Sequence, residues 1–286
     1  MKAILQSLFE HKTLTREKAR EVLLDIGRGN QNEHSVTAFM TVYLMRSITI
    51  DELLGFRDAL LELCHPVDTG QADSIDIVGT GGDGKNTFNI STLACFIVAG
   101  AGQQVTKHGN YGASSVSGAS NVMEQLGYKF KSDSGLLQRE LADAGICFLH
   151  APVFHPALKT VGPIRKNLAI RTFFNMLGPL VNPARPAYQL VGVSNLEMAR
   201  IYNYVLQQEG RPFTIIHSLD GYDEISLTTE TKVITQDGET VMSAEQLGKR
   251  TVNATDIEGG STVEEAAAIF RRIISAEGTW SQDHHK

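Results

Sequence analysis

Chemistry is concentrated in a few short segments of this chain. The densest is Asp76 to Thr92, DIVGTGGDGKNTFNIST. An apolar β-type run ends at Val78. Gly79, Gly81, Gly82 and Gly84 follow, and an apolar helical pattern opens near Ser91 and Thr92. Glycines after a strand let the backbone turn sharply and aim several N–H groups at one anion. A helix N-terminus just beyond adds free amides and its dipole. Thr87, Asn89, Ser91 and Thr92 contribute side-chain donors, so the segment reads as a phosphate cradle. It is not a Walker loop, since no GK[ST] follows a GxxxxG, and it does not complete the dinucleotide GxGxxG pattern.

A second segment repeats the logic. The strand-like end at Val105–Thr106 leads into KHGNYGASSVSG, and a helical pattern follows through Val122 and Leu126. Lys107 is a point charge suited to phosphate, and Ser114, Ser115 and Ser117 are small donors. Two such loops on neighbouring strand ends suit a ligand with two separated phosphate groups. Asp223-Glu224 places adjacent carboxylates in a loop, where both can reach Mg²⁺, a hard cation that usually bridges to substrate phosphates. Arg165, with Lys166 and Arg171 nearby, offers a fork for a substrate carboxylate. His150 and His155 are too loosely spaced to suggest a metal site.

The elements that must position these residues change character along the chain. The first sixty-odd residues read as helices: Thr15 caps a segment with Ala19, Val22, Leu23 and Ile26 on one face, and Thr49 and Glu52 form a capping-box pattern before Leu53, Phe56, Leu60 and Leu63. After Pro66, short apolar runs (Ile75–Val78, Gln104–Thr106, Ile146–Leu149, Gln189–Val193, Thr214–His217) alternate with helical spacing at Leu93–Ala99, Val122–Leu126 and Leu136–Ala142. That alternation predicts βαβ units and a largely parallel sheet, with ligands at the carboxyl ends of the strands. The cationic, proline-bounded stretch Val161–Pro183 interrupts it and reads as an excursion back to the helices.

Composition sets the bounds. The 286 residues, 42% hydrophobic and 20% charged, allow one large domain or two ordinary ones with a real core. A net charge of −6 argues against a general nucleic-acid or membrane-surface role. Cys64, Cys95 and Cys147 lie in apolar stretches without CxxC spacing and are expected to be buried, reduced thiols. No apolar stretch approaches the ~20 residues needed to span a bilayer, and the N-terminus has too short an apolar run for a signal peptide. A cytoplasmic location is the default expectation.

Together, Gly79–Asp83 (GTGGD), Asn89–Thr92 (NIST), Lys107–Asn110 (KHGN), Gly178–Pro183 (GPLVNP) and Asp223-Glu224 resemble, in order and spacing, the anthranilate phosphoribosyltransferases. The resemblance covers the chain from its first helix to about Trp280. It implies an α/β fold: a small N-terminal helical domain, residues 1–66 with about 161–183, beside a larger α/β domain, 67–160 and 184–286, whose central, mostly parallel sheet is flanked by helices. It implies a homodimer formed through the helical domain. It implies transfer of a phosphoribosyl group from 5-phosphoribosyl 1-pyrophosphate to anthranilate in tryptophan biosynthesis, with Mg²⁺, two ions, as cofactor. By carry-over, Gly79, Gly82, Asp83, Thr87, Asn89, Ile90, Ser91, Thr92, Lys107, His108, Gly109, Asn110, Tyr111, Gly112, Ala113, Ser114 and Ser115 surround the donor. Ser91, Asp223 and Glu224 hold the metal. Gly79, Asn110, His155, Arg165 and Gly178 border anthranilate, and no residue is assigned as a general base.

The chain departs from the family's pattern in three places. Tyr111-Gly112 stand where Arg-Ala is frequent, Val116 where a Lys precedes SG, and Ala119 where a Ser is common. Donor affinity is the parameter these changes bear on. The family also continues past Gly278–Trp280 with further helices; an apolar face is expected to be uncovered if the protein ends at Lys286, and truncation or a frame change near Gln282 is the alternative. Two other readings are a pyrimidine-nucleoside phosphorylase, which shares the architecture but usually carries a further C-terminal domain, and a non-catalytic nucleic-acid-binding relative, for which a basic groove is expected.

Overall fold

The computed structural model describes residues 1–70, 73–112 and 116–279. In chain order it contains α1 (Lys2–Phe9), α2 (Arg16–Gly27), α3 (Glu33–Met45), α4 (Ile50–Leu63), β1 (Ile75–Gly79), α5 (Ile90–Gly100), β2 (Val105–Gly109), α6 (Ala119–Gln125), α7 (Ser134–Ala144), β3 (Ile146–His150), α8 (Ala151–Phe154), α9 (Pro156–Leu168), α10 (Phe174–Leu177), β4 (Tyr188–Gly192), α11 (Leu196–Glu209), β5 (Phe213–Ser218), β6 (Thr231–Thr235), β7 (Gly238–Met242) and α12 (Val263–Ile274). These fall into two compact units: a helical one, Met1–Val67 with Ala151–Arg185, and an α/β one formed by the rest.

In the helical unit the local signals act as their chemistry requires. Thr15 accepts the Lys18 amide, and Thr49 with Glu52 closes a reciprocal capping box at the start of α4. The core is aromatic: Phe39, Tyr43 and Phe56 pack edge-on, and Phe173, from the second segment of the unit, stacks on Phe56 with ring centroids 4.6 Å apart. That stack explains why the excursion folds back. It begins at Ala151, however, ten residues before the expected Val161. APVFHP reads as a loop in sequence, yet α8 starts directly after β3, and Phe154, His155 and Ala157 are buried within the helical unit.

Glu52 is fully buried here and answered on every side. It accepts from the Leu14 and Thr49 amides, the Thr49 and Tyr43 hydroxyls and both Arg46 Nη atoms. Burial alone would raise its pKa; the Arg46 guanidinium and the two amides overcome it and hold the carboxyl below its usual range.

The α/β unit is built on a seven-stranded sheet of order β3-β2-β1-β4-β5-β6-β7. The first five strands are parallel, and β6 and β7 add an antiparallel hairpin at one edge. The five strand-like runs of the sequence correspond to β1–β5; the β6–β7 hairpin has no counterpart among them. From β1 the chain winds to β2 and β3 on one side, then returns to β4 and β5 on the other. The carboxyl ends of β1 and β4 therefore lie at a topological switch point, where open α/β sheets form their ligand crevices. Phe88, Leu93, Val122, Phe148, Tyr222, Ile257 and Phe270 belong to one buried apolar cluster of this unit. Among the described residues no helix is long and apolar enough to cross a membrane. All three cysteines are free and buried, as expected, and burial pushes the Cys95 and Cys147 thiols up to about 11 and 12.

Candidate active site at the β1–β4 switch point

β1 ends at Gly79 and β4 at Gly192, paired in register. Both lack a side chain for a steric reason. A Cβ on Gly79 would lie 2.5 Å from Asp223 Oδ2, and one on Gly192 would lie 1.7 Å from the Asp223 carbonyl oxygen. The loop after β5 thus lays its carboxylates directly across the two strand ends. Ser218, fully buried at the end of β5, ties that loop: its Oγ donates to the Glu224 carbonyl at 2.6 Å and accepts the Ser226 amide at 3.1 Å.

The glycine loop after β1 meets the acids from the other side. Gly81, Gly82 and Gly84 all take positive φ, where a side chain would be strained. The Gly81 amide donates to Asp223 Oδ2 at 2.7 Å. Asp83 lies close enough to hydrogen-bond Asp223, and the Ser91 amide at the start of α5 reaches Glu224. Three expected site carboxylates are thereby gathered: Asp83, Asp223 and Glu224. Burial, with Asp83 adding like charge, raises Asp223 to about 7 against the Gly81 N–H. Burial and Asp223 push Glu224 well above the carboxylate range, and Lys107 only partly opposes this. The cluster carries more negative charge than its surroundings answer.

Lys107, expected beside phosphate, is almost fully buried. Its Nζ donates to the Ile77 carbonyl at 2.7 Å, so one N–H is committed to β1 while its charge faces Glu224. His108 is buried, with its amide on Asp76 Oδ1. Thr92 and Ile90 are buried in the first turn of α5. Asn89 is the N-cap of α5, yet its side chain makes no cap and donates instead to the Ser117 carbonyl at 3.0 Å, joining the two glycine loops. Thr87 forms an isolated bridge with Glu258.

In the second loop, Gly109 ends β2, the Asn110 carbonyl accepts the Ser120 amide, and Asn121 Oδ1 accepts from Gly112 and Gly118. Tyr111 packs edge-on against His150 at 4.8 Å and donates to Glu124 at 2.9 Å. His150 in turn stacks on Phe130 and pairs with Ser120 Oγ. Ala113, Ser114, Ser115 and Trp280 lie outside the described residues.

Three further candidates belong to the helical unit. His155 caps α9 and is buried, and burial lowers its pKa to about 4. Gly178 follows α10 in right-handed helical conformation. Arg165, near the end of α9, has its guanidinium over the Phe174 ring at 5.4 Å. Burial lowers its pKa, and no carboxylate among the described residues pulls it back.

Sequence reasoning missed Gly192, Ser218 and the Ile257–Gly260 segment, which abuts the glycine loop. The adjacent glycines at 259 and 260 were the available signal.

A parallel sheet with an acid-rich switch point, together with a small helical bundle, describes a class of glycosyl transferases, and sequence comparison agrees. Residues 71–284 match the glycosyl transferase family, a/b domain, and residues 2–64 match the helical bundle domain of the glycosyl transferase family. Anthranilate phosphoribosyltransferase from Flavobacterium johnsoniae is 58% identical over 284 residues, 99% of this chain and 86% of that one. The crystal structure of anthranilate phosphoribosyltransferase from Thermus thermophilus superposes with a TM-score of 0.90 at 31% identity, covering 98% of this chain and 84% of that one. The Saccharomyces cerevisiae enzyme in complex with PRPP and Mg gives 0.86 at 29% identity, covering 93% and 78%. The chain belongs to this glycosyl transferase family and, within it, to the anthranilate phosphoribosyltransferases.

Proposed function

We propose that the chain transfers the phosphoribosyl group of 5-phosphoribosyl 1-pyrophosphate to the amine of anthranilate, giving N-(5-phosphoribosyl)anthranilate and pyrophosphate, a step of tryptophan biosynthesis. The observation that carries the reading is the under-neutralised cluster of Asp83, Asp223 and Glu224 beside the first glycine loop. Carboxylates held above their usual range call for a cation, and hard oxygen ligands suit Mg²⁺. Among the described residues no three His, Cys, Asp or Glu side chains form a ready metal-binding group. In this reading Asp223, Glu224 and the Ser91 hydroxyl would hold the metal, two ions in all, which would supply charge neutralisation for the leaving pyrophosphate.

The residues of the chain bind and orient. Gly79, Gly82, Asp83, Thr87, Asn89–Thr92 and Lys107–Gly112 surround the donor, with amides on its phosphate oxygens. Arg165, a partly buried cation with no carboxylate partner among the described residues, takes the carboxylate of anthranilate through paired N–H bonds. His155, neutral at pH 7, and Gly178 also serve anthranilate, as do Gly79 and Asn110. An arylamine is largely neutral at pH 7, so attack needs no strong base and none is assigned; positioning and charge neutralisation supply the rate.

The working form is a cytoplasmic homodimer joined through its helical unit. Phe9, Leu44 and Met45 of that unit are 61%, 43% and 88% exposed, which favours burial against a second copy. Loss of anthranilate fluorescence on mixing with the donor tests the reaction. It is expected only when donor and Mg²⁺ are both present. A folded protein that leaves the signal unchanged would overturn the reading.

A further inference from the structure

Between the last strand of the sheet and α12, the segment Ile257–Gly260 runs against residues 86–88 of the first glycine loop. The Phe88 amide donates to the Ile257 carbonyl at 3.1 Å, and the Gly259 amide to the Asn86 carbonyl at 2.8 Å. The Asn86 side chain donates to the Gly260 carbonyl at 2.7 Å, and Thr87 bridges Glu258. Contact is closest at Gly259, where a Cβ would lie 2.3 Å from the Thr87 carbonyl oxygen and 2.9 Å from the Phe88 nitrogen. Gly259 does not occupy the left-handed region, so a methyl there is opposed by the closeness of the loop and not by the backbone conformation.

Both ends of this contact are anchored. Phe88 and Ile257 are buried in the same apolar cluster as Ala267 and Phe270 of α12, Leu93 of α5 and Val122 of α6. Helix α5 begins where the first glycine loop ends, and α6 where the second ends. Helix α12 therefore packs on the helices that follow both loops, and Ile257–Gly260 extends its grip to the main chain at residues 86–88.

We propose that Gly259, with Asn86, is a positioning residue for the donor: the Ile257–Gly260 strap fixes the main-chain register of Asn86–Asn89, and so the direction of the amides offered to the pyrophosphate. This rests on the reading of that loop as the donor cradle. Neither residue touches the donor; each acts through the loop.

The test pairs Gly259→Ala with the milder Asn86→Ala, measuring KM for phosphoribosyl pyrophosphate, KM for anthranilate, thermal midpoint, and amide exchange across residues 84–92. Small displacements of a binding group weaken its contacts steeply, so Gly259→Ala is expected to raise donor KM about tenfold. Loss of one hydrogen bond in Asn86→Ala is expected to raise it about threefold. Anthranilate KM stays near the parent's, the midpoint falls more in Gly259→Ala than in Asn86→Ala because the backbone must give way to the new Cβ, and loop exchange quickens in both variants. Donor KM within twofold of the parent, both KM values rising together, or unchanged exchange would overturn the proposal. Should Gly259→Ala not fold, Asn86→Ala decides on the same readouts. If the parent itself shows no turnover, the functional reading fails; the strap is then judged by the donor's dissociation constant and by loop exchange.

Discussion

Each unit of this chain buries carboxylates, and each treats them oppositely. In the helical unit Glu52 is enclosed by donors, Arg46 foremost, and held ionised below its ordinary pKa. In the α/β unit Asp223 and Glu224 are enclosed next to each other and to Asp83, and are pushed up. Burial is common to both; only the partners differ. A buried acid whose lone pairs are all met belongs to the architecture, whereas one set against another acid is waiting for a cation. The contrast separates structure from site without reference to any relative.

The contrast breaks most sharply under mutation. Glu224→Gln should lower kcat by two to three orders of magnitude, roughly the scale of losing one metal-bound neutralising group. Its thermal midpoint should stay level, because an acid that burial and Asp223 already push toward its neutral form gives way to a neutral amide of the same size. Glu52→Ala should do the reverse, costing about 3 kcal/mol of stability by stranding Arg46, with both KM values of the folded fraction unchanged. Calorimetry and steady-state kinetics on the two variants distinguish these patterns, and an equal loss of turnover in both would dissolve the distinction.

Arg165→Ala sharpens the division within the site. It is expected to raise KM for anthranilate about tenfold and leave kcat within a few-fold, since a carboxylate grip is made equally in ground and transition states. A fall in kcat matching that of Glu224→Gln would contradict that role.

Smaller, but opposite in sign between the units, is the pH response of the metal-free protein. Asp223 sits near 7 in the fold against an ordinary 3.8, so the native α/β unit holds the extra proton between those values and loses stability as pH rises from about 4 to 7. His155 sits near 4 against 6.5, so the native helical unit holds fewer protons and loses stability as pH falls from 6.5 to 4. Hydrogen exchange resolved by unit should show slopes of opposite sign, and Mg²⁺ with the donor should flatten only the first. Parallel slopes would show that these two groups do not govern the response.

Much of this was legible in the sequence because it is local. The Thr49–Glu52 box, the runs that form β1 to β5 and the Gly79–Gly84 turn are written in residues a few positions apart. The antiparallel hairpin of β6 and β7 is equally local, with Asp237-Gly238 at its turn, and that signal went unread. What was not legible depends on distance along the chain. The chain meets Asp223 at Gly192 and Gly79, Thr87 at Gly259, and Phe56 at Phe173 only after folding. Lys107 shows the same limit: its type suggested a phosphate ligand, but its depth ties it to the Ile77 carbonyl as well. The motif placed the carboxylates in a loop; only the folded strand ends explain why two glycines must lie beneath them.

The most direct test is the Mg²⁺ dependence of anthranilate consumption at saturating donor, in parent and Glu224→Gln. A parent rate that rises with Mg²⁺ from zero, and a variant that needs far more Mg²⁺ and reaches a plateau at least about a hundredfold lower, is the predicted result. Superimposable Mg²⁺ curves would contradict the assignment of the raised acid pair as the metal-holding centre.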